Sequence, residues 1–105
     1  MKIDFTATLV DAEDKPVLEN DKPANVLTLF KRAVIADIGP DGRPITGDEK
    51  YPRFELYMKL RSADSTTDFT LDEVQLLEKA VRVYPTLIAG QLTYLLHNKT
   101  VTTLG

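Results

Sequence analysis

The side chains able to do chemistry are few and scattered. There is one histidine, His97, and no cysteine. His97 therefore has no thiol to activate and no second histidine with which to share a metal. Its place at the end of an apolar run suits a helix C-terminus, where neutral and cationic rings are both accommodated. Two carboxylate pairs, Asp48-Glu49 and Asp72-Glu73, fall in the first turns of expected helices, where capping and the macrodipole account for them without acid–base work. Asp37, Asp41 and Gly42 share part of a calcium-loop pattern, but the alternating oxygen ligands and the closing glutamate are missing. Gly39, Gly42 and Gly47 are interleaved with prolines that suit turns, and no Gly-x-Gly-x-x-Gly or Walker-type stretch occurs to cradle a phosphate. The expectation is a non-enzymatic protein with no catalytic residues, no cofactor and no metal. An enzyme would need a site assembled from Asp, Glu, Tyr and His97, and it ranks last among the readings.

What remains is surface chemistry. Arg53, Tyr57 and Arg61 follow at four-residue intervals and so share one helical stripe, with Tyr51 beside it. Tyrosine and arginine dominate protein-binding hot spots, so Tyr51, Arg53, Tyr57 and Arg61 are the expected protein-binding residues. The alternative is a small nucleic-acid-binding regulator that uses the Arg53/Tyr57/Arg61 face, with tyrosines stacking on bases and arginines pairing with phosphates. An ordinary half-exposed helix face is the third reading. Thirteen Lys+Arg against 16 Asp+Glu, a net charge of −3, disfavour nucleic acid and anionic membrane surfaces as partners.

Several elements must position that stripe. Ile3, Phe5, Ala7 and Leu9 alternate with Asp4, Thr6 and Thr8, which predicts a half-buried strand. Asp11 to Pro16 is turn-forming, and Val17-Leu18-Glu19 returns as a short strand, giving a hairpin whose edge is open because Pro16 cannot donate a ladder bond. Val26, Leu27, Phe30, Ala33 and Val34 share a face and predict a helix from Asn25 to Asp37. Gly39 to Pro44 is a loop. Thr46 to Glu49 has capping-box spacing, yet Pro52 would clash in the sixth helical position. Either a short turn precedes a helix opening at Pro52, the preferred reading, or one helix is kinked there.

The helix from Pro52 to Ala63 has two apolar faces, Tyr51/Phe54/Met58 and Leu56/Leu60/Ala63; it is sandwiched within the domain, or one face meets another chain. Thr70 to Glu73 is a cleaner capping box, followed by Leu71, Val74, Leu77, Ala80 and Val81 at helical spacing until Tyr84-Pro85. The last helix, Thr86 to His97, is expected to be the most buried element, with Gly90 marking close approach of a neighbour. The tail 100–104 either adds a third strand or frays.

At 105 residues with no linker, the chain reads as one domain, 1–105. With 43% apolar and 28% charged residues it falls in the globular range. The fold class expected is α+β, an N-terminal β-hairpin, joined or not by a C-terminal strand, packed on about four short helices. The absence of cysteine suits a reducing compartment. Charges at Lys2 and Asp4 break any apolar leader, and no stretch of membrane-spanning length occurs, so a cytoplasmic location is expected and the Asn98-Lys99-Thr100 sequon reads as accidental.

Asp48-Glu49-Lys50, Arg53-Phe54-Glu55-Leu56, Leu71-Asp72-Glu73-Val74 and Tyr84 to Gln91 together resemble small accessory proteins of tailed bacteriophages and prophages. The likeness covers most of the chain, and none of its strings is a catalytic signature. It implies a phage-encoded protein made in the bacterial cytoplasm, a virion or assembly component or a binder of a host protein, and it transfers no site residues. The partner expected is a protein, another copy of this chain included.

Overall fold

Four helices and a short hairpin organise residues 1–99, the part of the chain that the computed structural model describes. The elements are β1 (Leu18–Glu19), β2 (Lys22–Pro23), α1 (Val26–Val34), α2 (Gly47–Arg61), α3 (Leu71–Ala80) and α4 (Thr86–Leu96), with a 3-10 turn, Val81–Val83, between α3 and α4. This is the expected α+β class. The tail for which a strand or a frayed end was expected lies outside the described residues.

α1 forms the centre. Asn25 caps it by accepting the Thr28 N–H at 3.0 Å, and five of its nine residues are buried, Phe30 and Ala33 completely. Around it Leu60 of α2, Leu77 of α3 and Leu92 of α4 close one core, joined by Ile3 and Leu9 from the N-terminal segment. α1 and not α4 is thus the most enclosed helix: α4 buries Gln91, Leu92, Leu95 and Leu96 and leaves Leu87, Gly90 and Tyr94 exposed. Nothing lies within 4 Å of a Cβ built on Gly90, so no neighbouring helix explains that glycine.

The first ten residues alternate in burial as the period of two predicts, but they form no strand. Asp4 accepts the Thr6 N–H at 2.9 Å and turns the chain. Alternation reports which side chains face the core and is silent on whether a neighbouring backbone is there to pair. The hairpin forms later, with Leu18 opposite Pro23 and Glu19 opposite Lys22. Its two-residue turn, Asn20 and Asp21, has φ of 52° and 65° at both positions, the left-handed geometry that matches strand twist and that Asn and Asp tolerate best among residues with a Cβ.

α2 is a single helix running through Pro52, so the preferred reading of a helix opening at Pro52 is corrected. The missing donor would have bonded the Asp48 carbonyl; Asp48 and Pro52 are both exposed, where water can satisfy that oxygen. Leu56 and Leu60 lie in the core, while Tyr51, Phe54 and Met58 on the other side are 67%, 54% and 43% exposed. The helix is therefore not sandwiched between layers. Among the described residues no helix is long and apolar enough to cross a membrane.

Candidate functional site

Two features stand out, an outward apolar face and an inward charged cluster, and both belong to α2. The four residues expected to bind protein are split between its sides. Tyr51 is exposed, Tyr57 is half-buried against the core, Arg61 is exposed and touches Met58, and Arg53 is 97% buried. The Arg53/Tyr57/Arg61 stripe hence does not form a continuous exposed face. It descends from solvent at Arg61 into the interior at Arg53.

Arg53 is buried with two of its three nitrogens hydrogen-bonded. Its Nε donates to Glu49 Oε1 at 2.8 Å, one turn earlier, and its Nη1 donates to the Ala33 carbonyl of α1 at 3.3 Å. Lys79, near the end of α3, donates to the other oxygen of Glu49 at 2.7 Å. One carboxylate thus bridges a buried guanidinium and a half-exposed ammonium, which ties α2 to α1 and to α3. The Lys79 hydrogen bond does most to hold Glu49 below the ordinary carboxylate range; burial opposes it, and Arg53 adds to the lowering. Arg53 Nη2 is buried with no partner. In a guanidinium, Nε and Nη2 share one edge, the edge that a bidentate carboxylate grips with both oxygens. Glu49 supplies only one, because Lys79 holds the second.

The local sequence explains how Glu49 comes to be free for this work. Thr46 is the N-cap of α2 but makes no side-chain cap bond, so the Thr46/Glu49 capping box remains open. The box at Thr70 closes fully, with Glu73 accepting the Thr70 N–H at 2.8 Å and Thr70 accepting that of Glu73 at 3.2 Å. Glu73 also binds Lys59 at 2.7 Å; burial works against its ionisation, but the bonds from Lys59 and Thr70 outweigh it and its pKa is lowered. The lone histidine, His97, faces Glu78 at 3.1 Å on the surface, a helix-end contact of the kind expected.

The loop before α2 completes the cluster's surroundings. Gly39 N–H donates to the Arg43 carbonyl at 2.7 Å and Gly42 N–H to the Gly39 carbonyl at 3.0 Å, folding the chain over itself, with Gly42 at φ 78°. Between this loop, the start of α2 and the end of α3 lies a cleft of about 320 Å³ in which Arg43, Arg53, Lys79 and Arg82 face Asp41 and Glu49. A smaller cleft of about 190 Å³ shares Arg53 and Ile45 with it and is lined further by Val34, Ile35, Lys50 and Phe54. It extends the apolar face of Tyr51, Phe54 and Met58 towards the end of α1, where Ile35 is also exposed. Among the described residues no group of three or more His, Cys, Asp or Glu side chains could hold a metal ion.

Sequence reasoning singled out Arg53 but not its role, and it assigned Glu49 to capping. The signal for their pairing was present in the four-residue spacing of opposite charges. Lys79 and Arg82 carried no such signal, since they reach the cleft through the packing of α3. No family model, no curated protein and no solved structure matches the chain.

Proposed function

We propose that this chain is a non-enzymatic protein-binding module whose contact surface is the outward face of α2. The observation that carries this reading is that Tyr51, Phe54 and Met58 recur at helical spacing and stay exposed while the opposite face of the same helix fills the core. An isolated exposed apolar side chain means little, but three on one face, continued by Ile35 and the Phe54 cleft, form the kind of contiguous patch that marks an interface. Lys50 and Asp37 stand at its rim, a polar border around an apolar centre. Tyr51 and Phe54 are the anchors, and Arg61 lies at the end of the same helix. Arg53 serves from beneath by holding α2 in place. The burial of Arg53 argues against phosphate binding by the Arg53/Tyr57/Arg61 stripe. The resemblance to phage accessory proteins supports a bacterial cytoplasmic setting, with a virion, assembly or host protein as the partner.

A photo-crosslinking residue at position 54 tests this, with position 13 in the exposed 11–15 turn as control. The expected result is a discrete protein adduct from position 54 in phage-infected or lysogenic cells, lost when Tyr51→Asp and Met58→Asp are added. Light scattering on the purified chain tells a second copy from another protein. A strictly monomeric chain giving the same crosslinks from 54 as from 13 would refute the reading.

A further inference from the structure

The cleft between the 39–46 loop and the end of α3 adjoins the smaller cleft beside the apolar face, shares Ile45 and Arg53 with it, and Arg53 carries an unexplained atom. Buried polar groups are nearly always paired, and leaving one unpaired costs roughly 1–3 kcal/mol, more when it belongs to a charged group. Arg53 Nη2 breaks that rule, on the edge of the guanidinium that faces Glu49 and, beyond it, Lys79. The cleft is of small-ligand size. Four cationic side chains line it against two carboxylates, and among the described residues Arg43 and Arg82 form no ion pair.

We propose that this cleft binds a small organic monocarboxylate, with Lys79 and Arg82 on the carboxylate and Pro40, Pro44 and Ile45 against its apolar body. The unpaired atom supplies the linkage. Nη2 is shut off from solvent, so the ligand acts on it through Lys79, whose half-exposed side chain can leave Glu49 for the incoming carboxylate. The released oxygen of Glu49 then turns to Nη2, and the Arg53–Glu49 pair closes as a bidentate fork. Binding satisfies a donor that the free protein leaves unpaired, and this difference between the two states favours the bound one. A doubly charged phosphate fits less well, because Asp41 and Glu49 line the same cleft and repel the second charge.

The test is an NMR titration of the full chain with sodium benzoate, its neutral isostere benzamide, and inorganic phosphate at matched ionic strength. Benzoate is expected to give saturable amide shifts confined to residues 39–49 and 79–82, with a Kd on the order of 1 mM for so small a probe. The Nη protons of Arg53 should become slower to exchange as it binds. Lys79→Gln and Arg82→Gln, both at exposed positions, should each weaken binding about tenfold or more while keeping a dispersed spectrum, and Lys15→Gln in the 11–15 turn, outside the cleft, should leave it unchanged. Lys79→Gln should also slow Arg53 Nη exchange without any ligand. Any one of four results overturns the proposal: no saturable shift by about 20 mM benzoate, equal shifts from benzamide, equal shifts from phosphate, or full affinity in both cleft variants.

Discussion

Removing Glu49 should destabilise the fold far more than its position on an outer helix suggests. Arg53 is almost wholly buried and keeps only one other bond, to the Ala33 carbonyl, so Glu49→Ala leaves a buried cation without its counter-charge. Breaking a buried pair by deleting one partner costs about 3–5 kcal/mol, and the lower end applies because about a fifth of the Glu49 side chain is exposed and water can replace part of it. A loss of about 3 kcal/mol is a large part of the 5–15 kcal/mol typical of a domain, and it corresponds to a Tm lower by roughly 12–20 °C at this size. The decisive comparison is with Arg53→Met/Glu49→Leu, which removes both charges and retains apolar volume. That double variant should lose only about 1 kcal/mol, less than Glu49→Ala alone, because no charge is left stranded. Urea unfolding followed by far-UV circular dichroism suits a chain without tryptophan. A cost below about 1 kcal/mol for Glu49→Ala, or a double variant as damaging as the sum of the singles, would refute the burial argument.

Further outcomes follow from the same geometry. Glu49 and Glu73 both ionise below their ordinary 4.5 in the folded state, so their stabilisation is complete above that pH and is lost as pH falls through the lower folded-state values; urea midpoints should drop below about pH 4.5, and less steeply in Glu49→Gln and Glu73→Gln. Gly90→Ala should stabilise by about 0.5–1 kcal/mol, read as a higher midpoint, since the site is helical, exposed and open to an added methyl group. Thr70→Ala opens the capping box of α3 and should cost about 1 kcal/mol in the same assay.

The helices were legible in the sequence because each carries its own signal within a few residues. The Thr70 box and the apolar spacing after it place α3 directly, and the shared face of Val26, Leu27, Phe30, Ala33 and Val34 places α1, which stops at Val34 and not at Asp37. Pro52 misled, because the clash it threatens depends on whether the affected carbonyl is buried, and sequence does not report that. The N-terminal strand failed for a related reason: alternation is a property of one segment, whereas a ladder needs two. Gly90 was charged with a packing role when the neighbour it implied is absent from its side of α4. Of the site, the Arg53 position was legible but its burial was not. The bridge from Glu49 to Lys79 spans 30 residues and exists only once α2 and α3 have packed.

One contact bears on how the chain comes together during synthesis. The Gln91 side chain accepts the Val10 N–H at 2.9 Å and donates to the Val10 carbonyl at 2.8 Å, satisfying both backbone groups of Val10 beside its bridge to Pro16. These two residues lie 81 positions apart. Translation delivers Val10 well before Gln91, so the segment around Val10 waits for α4 before its clasp can close, and loop closure of that length is slow to nucleate. Met1 and Phe5 meet their partners Phe69 and Ser65 before α4 exists, so the N-terminal segment is fixed in two stages, its beginning first and Val10 last.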